Sequence, residues 1–446
     1  MKQKNYLIFG LGKSGKASFN LLYNKKDKFY LFDENISLRK EMLESTLNLR
    51  NVFVVNDVDK IIINFVDIII LSPGVSINLP ILKYAKRLSK EIISELELGF
   101  RYCKNKIIAI TGTNGKTTTV SLLYDIFKTA GFQVEKVGNI GCPLCDRVKE
   151  VNRKTIFICE VSSFQLEAIK NFKPFTAGIL NIDIDHLNRH KTFNIYKNTK
   201  LKLFKNMKNA KIVLNKNIKY TNKKLKIYKF GFSKVKNGCF CKNNEIYYSN
   251  KGKTYKICNI NETSLKGNHN LENIMACICF AKFFKIKNEY IIKALNSFKN
   301  ISHRIEKVYE KDNKNFYDDS KATNLHSCIK AMQTMTRPTI LILGGSDKGY
   351  LFDGIFKNLN PNIVEVLVCG QIANKVKQAA KRNKAKVQVF KTLKEATIHA
   401  CSQLHNGQDL LLSPAAASFD EFNSYKERGE KFLSYIKEYY EKNNFN

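Results

Sequence analysis

Ile107-Ile108-Ala109-Ile110-Thr111-Gly112-Thr113-Asn114-Gly115-Lys116-Thr117-Thr118 is the stretch that decides the fold of this 446-residue chain. A short apolar strand runs into a glycine-interrupted loop, and a helix follows. Backbone N–H groups at such a helix start cradle phosphate oxygens. Lys116 is spaced to reach the β- and γ-phosphates of a nucleotide, and the Thr117 hydroxyl to ligate Mg²⁺. Four positions before Gly115 stands Thr111 rather than glycine, so the loop is a T-G-T-N-G-K-T variant of the G-x-x-x-x-G-K-[ST] pattern. The reading is an ATP loop on a parallel sheet, made of Gly112, Thr113, Asn114, Gly115, Lys116, Thr117 and Thr118.

Strand-like and helix-like segments alternate on both sides of this loop. Tyr6–Phe9, Phe29–Phe32 and Val66–Leu71 precede it. Thr155–Cys159 and Thr176–Leu180 follow, and then Phe316–Tyr317, Thr339–Leu343, Val364–Val368, Val387–Phe390 and Leu410–Leu412. Short Ile/Val/Leu runs separated by amphipathic helices imply parallel sheets buried on both faces. The expected architecture is α/β in three domains: an N-terminal Rossmann-like domain (1–94), a central P-loop-type ATPase domain (95–299) and a C-terminal Rossmann-like domain (300–446). Between Lys219 and Lys256 a polar, aromatic-rich stretch reads as a small β-rich insertion or meander.

The first domain carries its own glycine loop, Gly10-Leu11-Gly12-Lys13-Ser14-Gly15, between a strand and a helix. This G-x-G-x-x-G spacing suits a nucleotide diphosphate at a helix N-terminus, and Asp33 ends the next strand where an acid can meet ribose hydroxyls. The motif alone leaves open which nucleotide, a nicotinamide cofactor included. Ser72-Pro73-Gly74 supplies a second turn after another strand.

Further candidates sit at strand ends. Glu160 follows Thr155–Cys159, which places a carboxylate beside the phosphate loop for Mg²⁺. Asp183, Asp185, His186 and His190 follow the next strand.

Composition opens a competing reading. Lys+Arg is 75 against 39 Asp+Glu, a net charge of +36. From Lys197 to Asn237 there are fourteen lysines and no acid. A nucleic-acid surface normally adds arginines or exposed aromatics that read bases. Lysine dominates here and no nucleic-acid module is present, so the charge reads as a lysine-rich background and no nucleic-acid partner is expected. A positive field of this kind also gathers anionic substrates. No run approaches the ~20 apolar residues of a membrane span. The twelve cysteines are scattered, with one C-x-x-C at Cys142–Cys145. Reduced, mostly buried thiols in a cytoplasmic protein are expected.

Taken in order, the motifs resemble the Mur ligases, the ATP-dependent amide-forming enzymes of peptidoglycan precursor synthesis in bacteria. After the ATP loop come Asn139-Ile140-Gly141, Glu160-Val161-Ser162-Ser163, Asp185-His186-Leu187-x-Arg189-His190 and Gly267-Asn268-His269-Asn270-Leu271-x-Asn273. His303-Arg304, Asp318-Asp319-Ser320-Lys321-Ala322-Thr323-Asn324, Gly344-Gly345-x-Asp347-Lys348-Gly349 and Leu412-Ser413-Pro414-Ala415-Ala416-Ala417-Ser418-Phe419-Asp420 complete the set. The last run is typical of the members that add D-glutamate to UDP-N-acetylmuramoyl-L-alanine. Asn188 departs from the family's D-H-x-D-R pattern, keeping an acceptor and losing a charge.

The resemblance implies ATP, two Mg²⁺ ions and a carbamylated lysine at Lys200. It makes Lys116, His186, Lys200 and Asn139 catalytic, and Thr117, Glu160, His186 and the Lys200 carbamate metal ligands. Asn268, Asn273, Arg304, Asp319 and Lys321 would join the ATP loop at the nucleotide. Gly12, Lys13, Ser14, Gly15, Asp33, Ser72, Pro73, Gly74 and Asn139 would hold the UDP substrate. Thr323, Lys348, Ser418 and Phe419 would hold D-glutamate. A monomer is implied, with an open–closed hinge near residue 299.

Overall fold

A computed structural model describes residues 3–265, 267–298, 302–347 and 349–442. Lys348 and the expected hinge at residue 299 lie outside the described residues. The strands form three sheets. In the first, five parallel strands run in the order Val52–Val54, Lys28–Phe32, Asn5–Phe9, Ile68–Leu71, Glu91–Ser94. Strand order reverses between Asn5–Phe9 and Ile68–Leu71, and such a switch point opens a ligand crevice at the carboxyl ends. Gly10 and Ser72 each directly follow one of these two strands.

The second sheet has nine strands. Its parallel half places Ile107–Thr111 between Thr176–Ile179 and Ile156–Glu160, with Val134–Gly138 at the edge. Every residue of Ile107–Thr111, Ile156–Glu160 and Thr176–Ile179 is buried, which explains their unbroken apolar runs. Beyond Thr176–Ile179 the sheet continues through Ala210–Asn215, Leu225–Gly231, Gly238–Lys242, Glu245–Asn250 and Lys253–Asn259. The β-rich stretch is thus an extension of the central sheet. It pairs in parallel as far as Gly238–Lys242 and becomes an antiparallel meander after it.

In the third sheet the order is Glu306–Lys311, Lys314–Asp318, Asp409–Ala415, Thr339–Gly344, Ile363–Cys369, Gln388–Val389. All pairs are parallel except the first hairpin. The chain packs as two compact units, residues 1–182 with 189–298, and 183–188 with 299–446. The first two sheets therefore share a unit, and one hydrophobic cluster runs from Ile8 and Phe29 through Leu96 and Leu144 to Phe157 and Ile212.

Ten of the twelve cysteines are buried, and all are free thiols. Cys145 is turned inward, its thiol 3.3 Å from the Glu95 carbonyl, whereas Cys142 is exposed. Among the described residues no helix is long and apolar enough to cross a membrane.

Candidate functional site

At the switch point of the first sheet, Gly10 has φ +96° and its N–H bonds the Phe32 carbonyl at 2.7 Å. Helix Lys13–Leu22 starts directly after Gly12. Asp33 is committed to the loop itself: Oδ2 accepts from Leu11 N at 2.6 Å and Oδ1 from Asn35 N at 2.8 Å. Ser72 Oγ donates to the Gly10 carbonyl at 2.8 Å, which joins the two turns. A Cβ at Gly15 would lie 1.8 Å from the Gly10 oxygen. Backbone cannot yield as a flexible side chain does, so Gly15→Ala is expected to lose about 2–4 kcal/mol of stability. A denaturant melt reads this loss directly, and an unchanged midpoint would refute the close approach.

At the carboxyl edge of the central sheet the phosphate loop meets three strand ends. Gly115 caps helix Lys116–Thr129 with φ +81°, and a Cβ there would come within 2.3 Å of Asn273 Oδ1. Lys116 Nζ donates to the carbonyls of Gly112 and Thr113, both at 2.8 Å, so the cation rests on its own loop. Thr117 Oγ1 donates to Glu160 Oε2 at 2.9 Å, and Asn139 Nδ2 donates to Glu160 Oε1 at 2.8 Å. Thr117 and Glu160 are both buried. A hydroxyl and a carboxylate at the mouth of a phosphate loop are the hard oxygen donors that Mg²⁺ takes, so this pair fits the ion.

Lys200, on helix Phe193–Leu201, is 1% exposed. Its Nζ donates to the Gly112 carbonyl at 2.8 Å and lies 4.6 Å from the centre of the Tyr196 ring. Tyr196 OH in turn lies 3.1 Å from Thr113 Oγ1. Asn273 is buried against the loop, taking a bond from Thr119 Oγ1 at 3.2 Å. Asn268 opens helix Asn268–Phe283 behind Gly267, whose φ is +88°.

The remaining expected residues belong to the second unit. His186 has φ +53°, and Asp185 holds it, with Oδ1 accepting from His186 N at 2.8 Å and from Tyr350 OH at 2.7 Å. Asn324 Nδ2 donates to Asp185 Oδ2 at 3.3 Å. Asp319 is buried at the end of Lys314–Asp318 and accepts from Ser413 Oγ at 2.7 Å. Burial pushes its carboxyl up to about 7, against the downward pull of Ser413 and the Arg304 charge. His303 precedes Arg304 with φ +65° and shares a 2.6 Å hydrogen bond with Asp318 that raises its pKa. Lys321 N donates to the His303 carbonyl at 3.2 Å, so Arg304 and Lys321 flank one backbone bond. Thr323 N donates to the Lys321 carbonyl at 3.0 Å. Ser418 is buried, and the adjacent Phe419 is 75% exposed.

The central unit thus brings together the phosphate loop, Asn139, Glu160, Lys200 and Asn273. The second unit brings Arg304, Asp319, Lys321 and Thr323 into one turn region. Tyr196 and Asn181 were not singled out by the sequence, and Asp185 and Arg189, which stood there only among motif residues, take definite roles. Tyr196 lies four positions before Lys200 on one helix, a spacing that puts both on one face. Asp185 orients His186. Arg189 binds Glu167 at 2.6 Å and the carbonyls of Gly74 and Val75 at 3.1 and 2.7 Å, which ties the Ser72–Gly74 turn to the central sheet. Asn181 bonds the phosphate loop at Asn114.

A phosphate loop on the middle of three α/β sheets, with an oxygen-donor pair at its mouth, defines a nucleotide-dependent phosphoryl-transfer enzyme. The chain belongs to the Mur ligase family and is an ATP-dependent ligase. Residues 4–94 match the Mur ligase MurD-like N-terminal domain, 110–281 the Mur ligase middle domain and 303–416 the Mur ligase glutamate ligase domain. It is 40% identical over 449 residues to the UDP-N-acetylmuramoylalanine--D-glutamate ligase of Thermoanaerobacter sp. strain X514, covering 98% of this chain and 99% of that one. The ligase of the same name from Clostridioides difficile strain 630 is 37% identical, with 97% and 98% covered. The fold is similar to MurF from Acinetobacter baumannii, with a TM-score of 0.63, 17% identity, and 97% of this chain and 93% of that chain covered. MurF from Thermotoga maritima, solved with ADP, gives 0.61 at 17% identity, with 99% and 96% covered.

Proposed function

We propose that the chain adds D-glutamate to UDP-N-acetylmuramoyl-L-alanine at the expense of ATP, in peptidoglycan precursor synthesis. The observation that carries this is near-full-length identity of 40% to a ligase named for that reaction. The Thr117–Glu160–Asn139 cluster beside Lys116 supports it chemically. Two anions must meet, the substrate carboxylate and the γ-phosphate, so fixed positive charge and donors have to offset their repulsion.

In this reading the substrate carboxylate oxygen attacks the γ-phosphorus, ADP leaves, and an acyl phosphate forms. The amine of D-glutamate then attacks the acyl carbon and gives up a proton. The tetrahedral intermediate collapses to the amide and expels phosphate. Lys116 grips the transferring phosphate, aided by Gly112, Thr113, Asn114, Gly115, Thr117 and Thr118. Asn139 donates to the acyl phosphate or the UDP substrate. Thr117 and Glu160 would hold one Mg²⁺, and His186 with carbamylated Lys200 a second. Bound Mg²⁺ supplies charge neutralisation at phosphate oxygens.

Arg304, Asp319 and Lys321 serve the nucleotide and acyl phosphate, with Asn268 and Asn273 at the adenine. Thr323, Lys348, Ser418 and Phe419 form the D-glutamate pocket. Gly12, Lys13, Ser14, Gly15, Asp33, Ser72, Pro73 and Gly74 take the UDP moiety. The domain limits 1–94, 95–299 and 300–446, a monomeric state, a cytoplasmic location and a hinge near residue 299 belong to the same proposal.

Phosphate release with ATP, Mg²⁺ and UDP-N-acetylmuramoyl-L-alanine tests it. Release is expected with D-glutamate and not with L-alanine, L-lysine or meso-diaminopimelate. Release with one of those and none with D-glutamate would overturn the substrate assignment.

A further inference from the structure

Asn181 lies just past the end of strand Thr176–Ile179, which neighbours the phosphate-loop strand. The ladder runs on beyond that strand, since Leu180 N bonds the Thr111 carbonyl at 2.9 Å. Asn181 then engages the loop three times. Its carbonyl accepts from Thr113 N at 3.0 Å. Its side-chain Oδ1 accepts from Asn114 N at 2.8 Å, and its Nδ2 donates to the Asn114 carbonyl at 3.1 Å. Both polar groups of one loop peptide residue are therefore taken by one amide side chain. No other side-chain type of this size offers a donor and an acceptor together in that geometry.

The consequence follows from the way phosphate loops work. A loop binds phosphate through N–H groups that must point inward before the ligand arrives, and ordering them on binding costs free energy that weakens affinity. Asn114 sits directly before Gly115, whose left-handed φ of +81° is the turn into helix Lys116–Thr129. Fixing the Asn114 peptide on the side of the neighbouring strand fixes the turn. The Lys116 and Lys200 ammonium groups meanwhile bond the Gly112 and Thr113 carbonyls. The cations thus hold the front of the loop and Asn181 holds its back.

We propose that Asn181 is a positioning residue for the nucleotide: its amide clasps the Asn114 peptide and holds the phosphate loop in its binding conformation before ATP enters. The inference rests on the ATP-loop reading above. It further predicts that the contribution is specific to phosphate binding, because the clasp touches only loop backbone.

Asn181→Ala removes both side-chain bonds. Asn181→Asp keeps an acceptor for Asn114 N but sets a second oxygen against the Asn114 carbonyl. Both variants are expected to raise the Kd for ADP and the KM for ATP by about tenfold or more, the equivalent of one to two lost hydrogen bonds. The KM for the UDP substrate should stay within about twofold. Amide exchange of the loop over residues 112–116, followed by mass spectrometry in the absence of nucleotide, should speed up in both variants. That readout holds even for a variant with no turnover.

Wild-type ADP affinity with unchanged loop exchange in Asn181→Ala would overturn the proposal. So would an equal rise in both substrate KM values, which marks a merely structural role. If the wild-type protein itself fails to bind ADP, it is the ATP-loop reading that fails, and the two failures are distinct.

Discussion

Lys116→Ala is expected to remove ligase turnover while leaving the fold intact. The ammonium is placed at the first residue of helix Lys116–Thr129, and its two bonds go to carbonyls of its own loop. The Gly112 carbonyl keeps its bond from Lys200 Nζ at 2.8 Å, so the melting temperature should fall by only a few degrees. Catalysis loses far more. Each charge-assisted hydrogen bond to a phosphate oxygen contributes about 1.5–3 kcal/mol, and two of them strengthen as charge moves in the transition state. Losing both is about 3–6 kcal/mol, or roughly 10²–10⁴ in kcat/KM. Steady-state phosphate release measures it. Arginine should not restore activity, because a planar fork cannot sit where a compact ammonium bridges two carbonyls. Wild-type rates in Lys116→Ala would remove the phosphate-loop assignment altogether.

Much of this site was legible because its chemistry depends on strand ends. Gly10, Thr111, Glu160 and Asp319 each stand at or directly after the end of a strand that the apolar runs already marked. Less legible were elements whose burial is one-sided. Val134–Gly138 is a half-buried edge strand with Glu135 and Lys136 inside it, so no apolar run announces it. Val66–Leu71 read as one strand, but Val66 caps helix Lys60–Phe65 and the strand is Ile68–Leu71. Tertiary position decided these, and local pattern carries little of it. Asn181 and Arg189 were hidden for a different reason. Apart from the Glu167 carboxylate that Arg189 binds, their partners are backbone carbonyls and N–H groups of distant loops, and a sequence does not display which peptide a side chain will face. Asp33 shows the converse. Its place after a strand marks it as a ribose acid, but that place does not display the bonds its two oxygens accept from the facing loop and its own turn, which fix the carboxylate there.

The second large effect is expected at Lys200, and here the sign of the charge is the question. In a tract with fourteen lysines between residues 197 and 237, Lys200 stands apart by being 1% exposed. Burying a long cationic side chain is costly unless its environment suits it. The Gly112 carbonyl and the Tyr196 ring face suit an ammonium. A divalent cation beside the phosphates would repel that ammonium. Reaction of the neutral amine with CO₂ forms an N–C bond, releases one N–H proton to solvent and leaves a carbamate, whose oxygens are the hard donors such an ion takes. The two forms make opposite predictions. Lys200→Ala should lower turnover by about 10²–10³, the scale of one lost transition-state contact of some 3–4 kcal/mol. If the working form is the carbamate, acetate or propionate should enter the vacated space and raise the variant's rate at least tenfold, with saturation. Methylamine should do nothing. If the working form is the ammonium, methylamine should rescue and the carboxylates should not. Rescue that appears only with the anion, and that leaves the wild-type rate unchanged, assigns the lysine to the metal side of the reaction rather than to the phosphate side.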